Sequence, residues 1–313
     1  MKKSFLYITL ATITGLLFSC SFNSKSADNS IPKIIFSKPA IKSKKNIIVA
    51  VIDTGIDVNH RELKGSLWTA KDGKKNGWNF VDNNNNVNDD IGHGTHIAGI
   101  IKSSNANITL MILKYYDSRS DSQKNAFENS LKAIRFAIDN RADIINYSGG
   151  GRGSSSQELA LLKEAESKGI IVVTAAGNES SDIDTTPYYP ASYRLSNIIS
   201  VAFLDGKGKL AKESNYGAST VDVAAPGEDI YSTLPGNKHG YLTGTSQATA
   251  YVTAMVASIK SANPKLNYKE IKKLVLASSY KNNNLIGKVV SPKTIIASTI
   301  KNIYIAKAQL ANN

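Results

Sequence analysis

The sequence has a single cysteine among its 313 residues. One thiol cannot close a disulfide within the chain, so a disulfide-stapled fold is excluded. No internal repeat is visible, and a repeat architecture is therefore not expected. Long apolar runs are also missing. The N-terminal stretch from Phe5 to Phe18 has 14 residues, which is short for a membrane-spanning helix of about 20 residues.

That apolar stretch has the features of an export signal. Lys2 and Lys3 precede it, and it ends at a boundary of small residues. The ending Leu17-Phe18-Ser19-Cys20 resembles a bacterial lipoprotein signal. We therefore predict a signal peptide over residues 1–19 and lipid attachment at Cys20, which also explains a lone thiol in an exported chain. An uncleaved N-terminal anchor with an incidental cysteine stays open, and both interpretations place the protein at a bacterial cell or outer membrane.

The net charge of +13 is unevenly distributed. Residues 21–45 hold six lysines against one aspartate, and residues 260–313 hold ten lysines against one glutamate, whereas residues 46–259 carry a net −3. A nucleic-acid-binding domain is more naturally basic in its folded core, so no nucleic-acid partner is expected. Basic flanks beside a lipid anchor fit an anionic membrane surface. A general use of lysine as a solvated residue explains the same excess.

The pattern of residues predicts one domain behind a tether. Residues 20–45 are polar and rich in Lys and Ser, and residues 46–313 form the predicted domain. Short β-branched runs alternate there with helical patterns, which favours a doubly wound α/β fold with a mostly parallel sheet and helices on both faces. The predicted strands are Ile47–Asp53, Ile108–Lys114, Ile144–Ser148, Ile170–Ala175, Ile198–Phe203 and Val221–Ala225. The predicted helices are Thr95–Ser103, Gln123–Asn140, Ser156–Lys168, Gln247–Ala262 and Tyr268–Ala277.

Two polar groups lie where chemistry is expected in such a fold, after the carboxyl ends of strands. Asp53 ends the first predicted strand, although an acidic residue there is often only a turn former. His93 stands between two glycines that leave its imidazole accessible, while His96 lies one turn into the next helix. A metal pair is the competing interpretation, but the zincin motif spaces its histidines four apart with a Glu beside the first.

Two further candidates follow later in the chain. Asn178 ends the segment Ala175-Ala176-Gly177-Asn178 after a buried strand, where an Asn after Gly is most often a turn residue. Ser246 opens an Ala-rich helix after Gly244, and a serine there is commonly a helix N-cap. The N–H groups free at a helix start also suit negative charge that develops near a serine oxygen.

Together these motifs resemble those of the subtilisin-like serine proteases, the subtilases. The motifs DTGID, GHGTHIAG, AAGN and GTSQATA occur in the order that is typical of that family, with Asp, His and Ser in turn. The resemblance is strongest over residues 47–278. It implies that Asp53, His93 and Ser246 form a catalytic triad and that Asn178 contributes to an oxyanion hole. It also implies a set of substrate-binding residues, namely Ser148, Gly149, Gly150, Ala176 and Gly177.

Some positions depart from the family pattern. Gln247 stands where the family usually has Met, Ala250 where it usually has Pro, and Gly149 where Leu is common. We expect Gln247 to hydrogen-bond beside the site and Gly149 to broaden or weaken one subsite. No room is seen for the usual folding propeptide, and the strong calcium loop is not expected. The run Asp82–Asp90 lacks the Gly and Glu of an EF-hand and is interpreted as a solvated loop.

The sequence thus predicts a monomeric, lipid-anchored serine endopeptidase that acts on polypeptides and needs no metal or cofactor. A catalytically silent scaffold that binds partners in the envelope is the alternative from another class. The presence of the three triad residues and the oxyanion Asn favours the enzyme.

Overall fold

The computed structural model describes residues 46–70, 73, 76–104, 107–119, 123–277, 280–281 and 288–289. Within them the strands are β1 (Ile47–Asp53), β2 (Gly77–Asn79), β3 (Ile108–Lys114), β4 (Ile144–Tyr147), β5 (Ile171–Ala175), β6 (Ile198–Leu204), β7 (Val223–Pro226), β8 (Ile230–Leu234), β9 (Lys238–Leu242), β10 (Tyr280–Lys281) and β11 (Lys288–Val289). The helices are α1 (His93–Lys102), α2 (Gln123–Asp139), α3 (Ser156–Ser167), α4 (Thr245–Ala262) and α5 (Tyr268–Ala277).

The central sheet is almost entirely parallel. Its strand order is β10-β11-β7-β6-β5-β4-β1-β3-β2, and only the pairing of β10 with β11 is antiparallel. β8 and β9 form a separate antiparallel hairpin. The strand order reverses at β1, which pairs with β3 on one side and β4 on the other. A reversal of this kind opens a crevice beyond the carboxyl ends of the strands, where doubly wound proteins bind their ligands.

Helices cover both faces of the sheet, as the sequence predicted. Alternate residues of β1 show why. Val49 and Val51 face a core that includes α1, α4 and α5, whereas Ala50 and Ile52 face a core that includes α2 and α3. Strands buried on both faces need apolar residues at every position, and this gives the continuous β-branched runs of the sequence. The doubly wound α/β architecture is confirmed.

Several element bounds differ from the predicted ones. α1 begins at His93 rather than Thr95, because Gly92 adopts a φ of 98° that lets the chain turn directly into the helix. The strand predicted over Val221–Ala225 runs instead over Val223–Pro226. β2 and the hairpin of β8 and β9 were not predicted, because their short, mixed sequences lack a continuous apolar run.

The predicted signal peptide, Cys20 and the predicted tether lie outside the described residues. Among the helices that the structure describes, none combines the length and the apolar character needed to cross a membrane.

Candidate active site

A buried carboxylate and an imidazole meet at the carboxyl edge of the sheet. Asp53 is the last residue of β1 and is only 3% exposed. His93 is the first residue of α1, and its Nδ1 lies 2.7 Å from Asp53 Oδ1. The same oxygen accepts a hydrogen bond from the Thr54 backbone N–H at 2.8 Å. Because Nδ1 carries the proton facing Asp53, the neutral imidazole leaves Nε2 free to accept one.

The environment of His93 shifts its proton equilibrium. Burial by itself lowers the pKa of His93, but the adjacent Asp53 carboxylate, with a smaller effect of Asp89, outweighs burial and raises the pKa above its ordinary value of 6.5. Opposite charge close to an imidazolium favours the protonated form. The arrangement therefore makes His93 a stronger base than a free histidine.

Asp89 holds the start of α1 against β1, a role that the sequence did not reveal. Its carboxylate accepts hydrogen bonds from Gly92 N–H at 2.8 Å, from Thr95 N–H at 2.8 Å and from the Thr95 hydroxyl at 2.6 Å. It also accepts one from the Thr54 hydroxyl at 2.8 Å, and that hydroxyl accepts one from Gly94 N–H. A negative charge at a helix N-terminus is favourable. Asp89 thereby fixes the helix that begins with His93.

Asn178 is held by the first residue of α4. Its Oδ1 accepts hydrogen bonds from the Thr245 backbone N–H and the Thr245 hydroxyl, both at 2.9 Å. These two bonds fix the amide plane and turn Nδ2 away from Thr245. The backbone N–H of Ser246 belongs to the first helical turn, where N–H groups have no partner within the helix. The Asn178 amide and the first turn of α4, both of which carry N–H donors, thus lie next to each other.

Ser246 is not the N-cap of α4. Gly244 takes that position and Ser246 is the second residue of the helix. Its side chain is 9% exposed, and its hydroxyl donates to the Ser148 carbonyl at 3.1 Å. Within the described residues no hydrogen bond joins Ser246 to His93. Hydrogen bonds of this kind are often unformed before substrate binds.

The turn that carries Asn178 is organised by a residue from a distant part of the chain. Asn215 Oδ1 accepts from the Glu179 and Ser181 N–H groups, both at 2.9 Å. Asn215 also donates from Nδ2 to the Ala176 carbonyl at 2.8 Å and from its N–H to the Gly177 carbonyl at 2.9 Å. No motif around Asn215 indicated this role, because the contact depends on the tertiary fold.

The predicted substrate-binding residues lie on two segments beside Ser246. Ser148, Gly149 and Gly150 follow β4, whereas Ala176 and Gly177 follow the neighbouring strand β5. The Ala176 side chain is buried in a core cluster. Its N–H donates to the Val201 carbonyl at 2.9 Å and its carbonyl accepts from Asn215 Nδ2 at 2.8 Å, so both backbone groups of this residue already bond within the protein.

Gly149 does not open the space that its small size suggested. A Cβ atom at Gly149 would come within 2.5 Å of the Tyr115 hydroxyl and 2.9 Å of Tyr147 Cε2. The two tyrosine rings, which meet edge to face with centroids 5.9 Å apart, occupy the volume of the missing side chain. The glycine therefore accommodates aromatic residues of the protein itself.

Gln247 and Ala250 are both buried residues of α4. Gln247 is 1% exposed, and its Nε2 has no hydrogen-bond partner in the described part of the chain. Among the described residues, Nε2 of this amide does not form the expected hydrogen bond. Ala250 is fully buried in the core around α4. At that site a Pro is not required for helix packing.

His96 packs and does not join His93. Its Nε2 lies 2.9 Å from the Ile230 carbonyl and 3.3 Å from the Gly240 carbonyl, which connects α1 to the hairpin. Burial and repulsion by His93 lower the pKa of His96 to about 3. Among the residues that the structure describes, no group of three or more His, Cys, Asp or Glu side chains is placed to hold a metal.

Side chains of the run Asp82–Asp90 bond mainly to the protein itself. Asn79 Nδ2 donates to Asp82 at 3.1 Å and to the Asn86 carbonyl at 2.9 Å, and Arg119 pairs with Asp82 at 2.8 Å. Asp82–Asn86, Asn88 and Asp90 are nevertheless exposed, and only Val87 and Asp89 are buried, so the prediction of a solvated loop is confirmed.

The fold and these side chains define a doubly wound α/β protein whose polar site lies at the switch point of the sheet. The family model for the subtilase family, Peptidase_S8, matches residues 44–292. The chain belongs to this family of subtilisin-like serine proteases.

Relatives and solved structures agree with this assignment. The chain is 35% identical over 238 residues to "Subtilisin-like protease 2" of Plasmodium falciparum (isolate 3D7). The match spans 69% of this chain but only 17% of that relative. It is 36% identical over 232 residues to the "Major intracellular serine protease" of Bacillus subtilis (strain 168), covering 69% of each chain. The crystal structure of a cold adapted subtilisin-like serine proteinase superposes with a TM-score of 0.68 at 26% identity, over 79% of this chain and 88% of the other.

Proposed function

We propose that the protein is a serine endopeptidase in which Asp53, His93 and Ser246 act as a catalytic triad. The observation that carries the proposal is the 2.7 Å contact between His93 and the buried Asp53, at the sheet edge where Ser246 bonds to the Ser148 carbonyl. Membership in the subtilase family supports the same chemistry.

In the proposed reaction the Ser246 oxygen attacks the carbonyl carbon of a peptide bond, and its proton passes to His93 Nε2. The carbonyl oxygen gains negative charge and is bound by Asn178 Nδ2 and the Ser246 N–H. The C–N bond then breaks, and the leaving amine takes the proton from His93. Water attacks the acyl-enzyme with its proton going to His93, and that proton returns to Ser246 as the acid leaves.

The Ser246 side chain must change direction for this reaction. Its hydroxyl donates to the Ser148 carbonyl, and a rotation about the Cα–Cβ bond redirects it away from that carbonyl. Hydroxyl rotamers interconvert over low barriers. When a substrate backbone N–H donates to the Ser148 carbonyl, it replaces the Ser246 hydroxyl there and leaves that hydroxyl able to rotate.

A fluorophosphonate probe tests the proposal directly. We expect the wild-type protein to be labelled and Ser246→Ala to lose labelling completely, because the probe bonds only to an activated serine oxygen. Ser258→Ala, on the same helix α4, is the matched control and should be labelled like the wild type. Absence of labelling in folded wild-type protein would instead favour a silent binding scaffold.

We further propose that the enzyme is held at the bacterial cell envelope by a lipid on Cys20. The lipoprotein-like ending at residues 17–20 and the lysine-rich residues 21–45 support this location. The substrates are then polypeptides that reach the outer side of the membrane.

A further inference from the structure

Two backbone segments flank Ser246 and bound a space that is here named the slot. Residues 148–150 leave β4 and are linked to Ser246 through the 3.1 Å bond from its hydroxyl to the Ser148 carbonyl. Residues 176–178 leave the neighbouring strand β5 and are linked to α4 through the 2.9 Å bonds from Thr245 to Asn178. In a peptide with its carbonyl carbon at Ser246 and its carbonyl oxygen at Asn178, the side chain of the attacked residue is directed between these segments.

One aromatic ring lies across this slot. A Cβ atom on Gly150 would come within 2.5 Å of Tyr188 Cε1, and a Cβ atom on Gly177 within 3.0 Å of Tyr188 Cε2. Opposite edges of the Tyr188 ring therefore lie against one glycine of each segment. The ring is 3% exposed. The volume between the two segments is thus occupied by a side chain of the protein.

The backbone holds the ring in this position. The Tyr188 N–H donates to the Ser192 hydroxyl at 3.0 Å, and the Tyr188 carbonyl accepts from the Ser192 N–H at 2.9 Å. The next residue, Tyr189, exchanges backbone hydrogen bonds of 2.7 and 2.9 Å with Gly151, which directly follows the segment 148–150. Tyr188 also packs in a core cluster with Ala176. To move the ring out of the slot, several of these contacts must break.

We propose that Tyr188 is a specificity-determining residue that fills the pocket for the substrate residue whose carbonyl is attacked. The protein then accepts small side chains there, such as Gly, Ala or Ser, and rejects large ones. This inference rests on the proposed protease function. Its physical basis is that a well-packed site cannot take extra atoms without displacing backbone that is fixed by hydrogen bonds.

A series of peptide anilides that differ only in the residue before the cleaved bond tests the inference. We expect wild-type kcat/KM to be roughly 100-fold higher for Ala than for Phe, the discrimination that a few methylene-sized clashes produce. Tyr188→Gly should raise kcat/KM for the Phe substrate at least about tenfold, while the Ala substrate changes little. Tyr231→Ala, which removes an exposed tyrosine on β8, is the control and should keep the wild-type ratio.

A small organophosphorus reagent with no large side group separates the possible failures. If diisopropyl fluorophosphate labels Ser246 and the wild type cleaves Phe as well as Ala, the pocket assignment is wrong and the protease function stands. If folded wild type is neither labelled nor active, the protease function itself fails. Should Tyr188→Gly not fold by circular dichroism, Tyr188→Leu provides the variant, and an unchanged ratio in it would overturn the assignment.

Discussion

At the residue scale, the contact of His93 with Asp53 sets how the site responds to pH. The proposed catalytic step needs the neutral imidazole of His93. Burial lowers the pKa of this imidazole, but the Asp53 carboxylate outweighs burial and raises the pKa above 6.5. Activity is therefore expected to be complete at alkaline pH and to fall as pH drops through this raised value. Measuring kcat/KM from pH 5 to 9 tests this expected fall in activity, and a flat profile would exclude His93 as the base.

The variant Asp53→Asn is expected to lower kcat by about 10⁴-fold, because an amide does not enforce the required tautomer or stabilise the imidazolium. The acid limb of the profile should also move to lower pH, since the charge that raises the pKa is removed. Asp139→Asn, at the exposed end of α2, is the matched control. An Asp53→Asn variant with its acid limb unchanged would contradict the assigned cause.

Gln247 is expected to lower the stability of the fold. Its buried Nε2 lacks a hydrogen bond in the described part of the chain, and such a group costs about 1–3 kcal/mol. Gln247→Met has a similar volume and no such donor, so it should raise the free energy of unfolding by that amount. Urea denaturation of both proteins in a Ser246→Ala background, which removes self-cleavage, measures the difference.

Gln157→Met, at an exposed position of α3, is the control for Gln247→Met and should change stability by less than about 0.5 kcal/mol. A Gln247→Met variant that is less stable than the wild type would show that the amide has a partner in solution.

At the element scale, the contact of His96 in α1 with carbonyls of the β8–β9 hairpin depends on a neutral imidazole. Burial lowers the pKa of His96 to about 3, whereas the unfolded chain titrates near the ordinary value of about 6.5. Between these values the unfolded state binds more protons, so this group removes up to about 1.4 kcal/mol of stability for each unit of pH decrease.

His96→Gln keeps a side-chain donor for the Ile230 carbonyl but no longer titrates. The variant should therefore lose less stability than the wild type between pH 6.5 and 4, in the same Ser246→Ala background. Urea denaturation at several pH values gives both slopes. Equal slopes in the two proteins would show that His96 is not the group responsible.

The elements themselves were predicted unequally well. β1, β3 and α5 have the predicted bounds, because their apolar or amphipathic patterns follow directly from burial. The hairpin of β8 and β9 was missed, since its position depends on contacts with α1. Gly99 illustrates this, because a Cβ there would clash with the Thr233 hydroxyl. A local sequence pattern does not show such a close approach.

At the scale of the whole molecule, the proposed location at the cell envelope rests on the sequence of residues 1–45. Cys20→Ala is expected to abolish incorporation of labelled palmitate and to release the protein from the membrane fraction, because no thiol remains to carry the lipid. Serine-hydrolase labelling of the released protein should persist and serves as the control for folding. Undiminished palmitate incorporation in Cys20→Ala would rule out lipidation at this residue.

The sequence by itself determined the family, the α/β class and the identity of Asp53, His93, Asn178 and Ser246 as candidates. Each belongs to a short motif whose residues are adjacent in the chain, so order and spacing were sufficient. Only the tertiary structure showed which residues support these candidates, because the contacts join residues that are separated in the chain. Asn215 bonds to the turn that carries Asn178, and Tyr188 lies between Gly150 and Gly177. Ser246 was identified as a candidate from the sequence, but its surroundings were not. The structure shows that Gly244, two residues earlier, is the N-cap and that the Ser246 hydroxyl donates to the Ser148 carbonyl. The size of the proposed pocket beside Ser246 depends on how segments that are apart in the chain pack together, and the spacing of residues in the sequence does not show that packing.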